Sequence, residues 1–282
     1  MLPNSFKDNA LDLCAVKART WGVDYACNCC ARGRRGDPCA VCLDPFRRES
    51  HCSAGKPLVV HVYERALEAA RISSVIIATE DDRVRDAVLP FGARVVMTRP
   101  DHPSGTDRVA EAVADSNADI VVNIQGDEPL IDPRLIDAAI QPLVDEPAVA
   151  MATARRRLQD QRSVEDPNVV KVVCDARGRA LYFSRWPIPY VRGQSPNAAF
   201  GCYWQHIGLY VYRREFLLEF ARMAPTPLEQ LEKLEQLRAL ENGYPIAVVD
   251  TEYASVGVDT PEDLKRVEML LQQKHGENRT NA

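Results

Sequence analysis

No stretch of this chain approaches the roughly 20 consecutive apolar residues that a membrane-spanning helix needs. No G-x-G-x-x-G follows a strand pattern anywhere, which points away from a dinucleotide-binding dehydrogenase. Positive charge is also short: 35 Lys and Arg stand against 40 Asp and Glu, for a net charge of −5. Without a clustered basic face, nucleic acid is not an expected partner, because neutralising phosphates takes grouped Lys and Arg. Residues 1–9 lack the apolar core of a signal peptide, so the expected compartment is the cytoplasm. Cysteine almost disappears after residue 52, where only Cys174 and Cys202 remain. With no export signal in view, a disulfide framework is not expected either.

The other seven cysteines crowd the first 52 residues. Cys27, Cys29 and Cys30, followed by Cys39 and Cys42, invite comparison with a zinc site. The C-x-C-C spacing suits a zinc knuckle poorly, and no helix or strand period surrounds it. Residues 1–54 are Cys- and Arg-rich and aperiodic, and are expected to be disordered apart from a fragment around 11–19.

From about Gly55 the pattern is regular. Residues 57–71 read as an amphipathic helix with Leu58, Val59, Val62, Ala66 and Ala69 near one face. Apolar strand signals at 74–79, 94–98 and 119–124 alternate with helical segments at 81–91, 107–115 and 132–144. Gly92 is placed to stop the second of the helices. That rhythm predicts βαβ units: an α/β fold with a mostly parallel, Rossmann-like sheet flanked by helices. After about residue 151 the rhythm changes. Asp175-Ala176-Arg177-Gly178 predicts a hairpin between strands at 169–174 and 180–184. A strand at 207–212, a helix at 213–223, one long helix at 228–241 and a strand at 246–251 follow. Thr260-Pro261-Glu262-Asp263 then opens a last helix, with a polar tail from 272. The main domain is expected over 55–275, with a smaller mixed lobe at roughly 165–212 and a tail at 276–282.

Four segments fall where strands should deliver chemistry. Gln125-Gly126-Asp127-Glu128-Pro129 ends a β-branched run, which suits a carboxylate that holds a divalent metal against nucleotide phosphates. Ser104-Gly105-Thr106 stands at a helix start, where unpaired amides favour an anion or a base carbonyl. His206, Gly208 and Tyr210 alternate on one strand face, and Asp259 precedes a helix cap. Asp127 and Asp259, both at strand-to-helix junctions, could converge on one Mg²⁺.

Together with Gly55-Lys56-Pro57-Leu58, Asp166-Pro167-Asn168-Val169-Val170-Lys171, Ala180-Leu181-Tyr182-Phe183-Ser184-Arg185 and Leu234-Glu235-Gln236-Leu237-Arg238, these blocks closely resemble the 3-deoxy-manno-octulosonate (KDO) cytidylyltransferase family over roughly residues 54–270. The resemblance implies transfer of CMP from CTP to KDO, for lipopolysaccharide biosynthesis, with Mg²⁺ and a homodimer paired through the lobe. It implies Asp127 and Asp259 as catalytic metal ligands. It also implies Ser104, Gly105 and Arg108 around the cytidine and its phosphates. Gln125, Arg185, His206, Tyr210, Glu235 and Gln236 would line the sugar-acid pocket, with Arg185 facing the KDO carboxylate.

The chain departs from the family at its start. The family opens with a strand and a phosphate loop of the form Pro-Ala-Arg-x-x-Ser-x-Arg-x-x-x-Lys, and nothing in residues 1–54 matches that loop. The composition there is that of a GC-rich coding segment read out of frame. The departure implies a sheet short of its central strand and impaired transferase activity. Two other readings stand beside this one. One is a cytidylyltransferase for another acidic sugar. The other is a non-catalytic nucleotide- or sugar-binding protein with a Cys-rich, zinc-binding N-terminus.

Overall fold

A computed structural model of the chain describes residues 13–17, 52–53, 56–193, 200–254, 256–258 and 260–280, with the backbone alone at 13–17, 52–53, 200, 261 and 274–280. Four parallel strands form one half of a mixed sheet. They are β1 (Leu13–Lys17), β4 (Val75–Thr79), β5 (Val95–Met97) and β6 (Ile120–Gln125), in spatial order β6-β1-β4-β5. Beside β6 runs the antiparallel β10 (Trp204–Arg213), then β7 (Met151–Arg157) and β11 (Ile246–Asp250). The hairpin of β8 (Lys171–Cys174) and β9 (Ala180–Ser184) joins the sheet at β10. Cys52–Ser53 (β2) and Lys56–Pro57 (β3) form a separate short pair.

Both faces of the sheet are covered, so the inner strands are apolar throughout rather than alternating. Ile77, Val122 and Val211 point into a core shared with α1 (Leu58–Leu67) and α4 (Pro133–Asp145). Their chain neighbours Ile76, Val121 and Tyr212 point the other way. There they meet α3 (Gly105–Ala112), α6 (Arg214–Phe220) and α8 (Gln236–Glu241). By the same period of two, Asn123 and Gln125 of β6 share the face of Val121. They are the polar continuation of that face toward the strand's C-terminal end.

Local chemistry accounts for the element ends. Asp81 caps α2 (Asp82–Val88), and Gly92 at φ 75° ends the 3₁₀ turn that follows it, as the sequence predicts. Asp132 caps α4 with Pro133 at its first position. Thr260 and Asp263 cap the start of α9 (Pro261–Thr280) reciprocally, the Asp263 carboxylate accepting from the Thr260 amide at 2.9 Å.

Four expectations are corrected. The central strand is present: Leu13–Lys17 pairs on both sides, Val16 with Ile77 and with Ile124, so neither neighbour loses its ladder. The expected fragment around 11–19 is the part that enters the sheet; most of residues 1–54, including Cys27, Cys29, Cys30, Cys39 and Cys42, lies outside the described residues. The strand β7 was not predicted, because Arg155-Arg156-Arg157 obscures the apolar half of Met151–Arg157. The predicted long helix at 228–241 is two, α7 (Pro227–Glu232) and α8, broken where Lys233 turns left-handed at φ 56°. Finally, α9 continues through most of the predicted tail, to Thr280.

A proline inside a strand paired on both sides removes a ladder hydrogen bond. Val16→Pro is expected to lower the free energy of unfolding by about 3 kcal/mol or more, read from the urea midpoint. An unchanged midpoint would show that residues 13–17 contribute nothing to the fold.

Candidate active site

The order β6-β1-β4-β5 reverses direction at β1: the chain builds outward from β1 through β4 and β5, then returns to lay β6 on its other side. Such a reversal opens a crevice outside the carboxyl ends of the strands, the usual ligand position in an open α/β sheet. Lys17 and Gln125 are register partners at that end. The antiparallel β10 overruns β6 there and forms a second wall. Tyr210 pairs with Asn123, and Gly208 lies beyond it, where an added Cβ would sit 4.0 Å from Gln125 Cγ and from Glu128 Oε1.

The turn after β6 carries Asp127, whose backbone carbonyl accepts from the Val258 amide at 3.0 Å. Val258 is buried against Leu58 and Leu130, which draws the 256–258 segment onto this turn. Asp259 itself lies outside the described residues, although Val258 and Thr260 on either side of it are held. Among the described residues no group of three or more His, Cys, Asp or Glu could hold a metal. Mg²⁺ needs no such group, since it takes one or two protein carboxylates and fills its octahedron with phosphate oxygens and water. Asp127 fits that donor set.

On the β4 side, Ser104 caps α3. Its hydroxyl oxygen accepts from the Thr106 and Asp107 amides, and its proton goes to Asp107 Oδ2 at 2.7 Å. Gly105 is buried at the first position of the helix. Arg108 is buried, with Nη1 2.6 Å from Thr98 Oγ1 and 2.5 Å from Glu80 Oε2. Its charge is balanced inside the protein, so toward a nucleotide it offers N–H donors more than net charge.

On the β10 side, His206 is buried between Phe183 and Tyr210, with ring centroids 5.0 and 5.4 Å away. A bulge interrupts the pairing of β10 with β7 between Ile207 and Tyr210, and the Thr153 hydroxyl plugs it. That hydroxyl lies 2.7 Å from the Leu209 carbonyl, 3.1 Å from that of Ile207 and 2.8 Å from His206 Nε2. Its single proton serves a carbonyl, so His206 Nε2 carries the other hydrogen and donates to Oγ1. Burial lowers the His206 pKa to about 3, which keeps the ring neutral.

The remaining candidates lie on β10, at the start of α8 and just after β9. Tyr210 donates to Gln236 Oε1 at 3.2 Å, and Gln236 is buried. Glu235 Oε2 lies 2.6 Å from Thr106 Oγ1. Arg185 spends one N–H from each of its three nitrogens on backbone carbonyls: Nε on Glu232 at 2.7 Å, Nη1 on Pro167 at 3.0 Å and Nη2 on Lys233 at 3.3 Å. Of a guanidinium's five N–H groups, one on each terminal nitrogen is left.

Sequence reasoning passed over the residues that hold these in place. The fully buried Lys171 donates to the carbonyls of Asp166, Val169 and Arg185. The Glu232 carboxylate receives the Ser184 hydroxyl at 2.7 Å and the Arg185 amide at 2.9 Å. Lys171 stands in a block that the sequence singles out, but Glu232 and Thr153 carry no motif, because their partners are distant in sequence.

Comparison with known proteins finds relatives over most of the chain. The cytidylyltransferase family model matches residues 54–251. A 3-deoxy-manno-octulosonate cytidylyltransferase of Solibacter usitatus (strain Ellin6076) is 60% identical over 218 residues, covering 77% of this chain and 85% of that protein. One from Geobacter sulfurreducens is 55% identical over 222 residues, covering 76% and 88%. The solved structure of CMP:2-keto-3-deoxy-manno-octonic acid synthetase complexed with CTP superposes with a TM-score of 0.79 at 38% identity, covering 93% of this chain and 99% of that one.

The His206 environment makes stability depend on pH. The folded pKa of about 3 lies below the ordinary 6.5. The contribution is therefore fully present above about pH 6.5 and is lost as pH falls toward 3, because only the unfolded chain takes up the proton. Urea unfolding across this window is expected to show a His206 share of up to about 1.4 kcal/mol per pH unit, absent in His206→Gln. A folded-state imidazole that titrates near its ordinary pKa by NMR would contradict the burial argument.

Proposed function

The chain belongs to the 3-deoxy-manno-octulosonate cytidylyltransferase family, and we propose that the crevice at the β1/β6 reversal transfers CMP from CTP to KDO with release of pyrophosphate. The observation that carries this reading is the division of the crevice into two unlike walls. The α3 start and Arg108 suit a nucleotide, while the β10 and α8 wall of neutral and acceptor groups suits a polyhydroxy acid. The KDO anomeric hydroxyl would attack the α-phosphorus of CTP in line, with pyrophosphate leaving opposite.

Asp127, and Asp259 as the residue that follows Val258 in the chain, would hold Mg²⁺; that ion would supply charge neutralisation to the phosphates. Ser104, Gly105 and Arg108 would border the cytidine and its phosphates. Gln125, Tyr210 and Gln236 would orient the sugar hydroxyls, and His206, held neutral, serves as a hydrogen-bonding group rather than a base. The two remaining N–H groups of Arg185 match the two oxygens of the KDO carboxylate.

Two crevice cations whose side chains are described are already engaged, Arg108 by Glu80 and Arg185 by carbonyls. Triphosphate binding would therefore draw on cations that the family's loop supplies and residues 1–54 do not match. This supports impaired turnover of the chain as it stands.

Leu181, Trp186, Tyr190 and Leu231 are exposed on the β8–β9 lobe and α7, Trp186 at 77% and Leu231 at 79%. A second copy of the chain is the proposed cover, giving a homodimer; sedimentation at micromolar concentration that finds only monomer would remove this part. No helix among the described residues is long and apolar enough to cross a membrane, and the cytoplasm is the proposed compartment.

The deciding experiment is pyrophosphate release with CTP, KDO and Mg²⁺, run on this chain and on one whose N-terminus carries the Pro-Ala-Arg loop. The restored chain is expected to turn over and the present one to be slower by about 10²-fold or more. Asp127→Asn in the restored chain is expected to lose a similar factor. Equal rates for the two chains would refute the impairment, and a restored chain inactive toward KDO would refute the substrate.

A further inference from the structure

The residues read for the nucleotide and those read for the sugar acid sit on different elements, and one hydroxyl joins them. Thr106, on the first turn of α3, is buried, and its Oγ1 lies 2.6 Å from Glu235 Oε2 across 129 positions of sequence. A carboxylate only accepts, so Thr106 donates, in a charge-assisted bond. The buried Tyr212 phenol lies next to this side chain. Tyr212 is fixed in turn by Phe216 and Phe220, with ring centroids 6.4 and 6.1 Å away. One bond thus runs from the first turn of α3, beside a rigid aromatic anchor, to Glu235.

Glu235 occupies the N-cap of α8 but makes no capping bond to its own helix. Its carboxylate is turned to α3 instead. The next residue, Gln236, receives the Tyr210 hydroxyl. A small shift of the α3 start would therefore reach the two α8 residues read for the sugar acid before any other part of that wall.

We propose that Thr106 is a positioning residue that holds Glu235 in the sugar-acid half of the site from the first turn of the nucleotide-side helix, so that occupancy of either half changes affinity in the other. The inference rests on the reading of the preceding subsection. The coupling runs both ways with equal size, as linkage requires.

Calorimetry on the full chain tests it, with KDO titrated in the presence and absence of CDP, which carries the base but has no pyrophosphate to release. Thr106→Val removes the donor, and Thr106→Val with Tyr212→Phe removes the donor without stranding the buried phenol. The double variant is expected to bind CDP like the parent but KDO about tenfold more weakly, with no remaining effect of CDP on KDO. Thr106→Ser, which keeps the hydroxyl, is expected to restore both. A parent that binds both ligands, with a double variant that matches it in KDO affinity and in the CDP effect, overturns this inference alone. A parent that binds neither KDO nor CDP overturns the inference together with the functional reading beneath it.

Discussion

The two-sided pairing of β1 is the constraint on which the rest of the molecule depends. Only a strand between β4 and β6 lets the sheet build outward in both directions, and only that reversal opens a crevice at the strand ends. Asp127 and Gln125 then arrive at the crevice because β6 is the first strand laid on the far side of the reversal. Glu80 arrives because β4 is the first on the near side. The antiparallel β10 adds what a purely parallel sheet could not: a strand that runs past the end of β6, with His206 and Gly208 reaching over the crevice from the side.

Charge is managed around this crevice by pairing nearly every buried cation internally. Arg108 meets Glu80, Arg238 meets Glu229, and Lys171 meets three carbonyls. A buried charge left alone would be severely penalised, so these partners are conditions for folding. They also decide function, because an engaged cation offers direction without net charge. On the proposed reading, such walls would orient a base and a sugar. A triphosphate would make a different demand, for net positive charge, and Arg108 and Arg185 are already engaged.

What the sequence made legible follows from where the signals lie. The parallel half, the hairpin at Asp175–Gly178 and the cap at Thr260 rest on local patterns, and local patterns survive reading one residue at a time. The strand β7 did not, because its outer half is Arg155-Arg156-Arg157, which pack over Trp204 or pair outward and so look like a surface run. The break between α7 and α8 did not either, since a left-handed Lys233 carries no glycine to announce it. At the site, the motif residues were visible as motifs. The partners that aim them were not: Glu232, Thr153 and Glu80 act across long sequence separations, and such pairings are a property of the fold.

The N-terminal segment separates two requirements that usually travel together. A central strand asks little of its sequence: backbone donors and acceptors in an extended run of five residues, with neighbours on both sides to complete the ladder. Leu13–Lys17 meets that requirement with no match to the family's own opening. A phosphate-binding loop asks much more, because cations must stand at fixed positions against a charge that develops only during the reaction. Scaffold and chemistry can therefore fail independently here. A segment outside the residues that the family model matches fills the central position of the sheet, and with it forms the crevice at the strand ends. Strand pairing alone does not preorganise positive charge, which is why the proposed phosphate chemistry is tested apart from the fold.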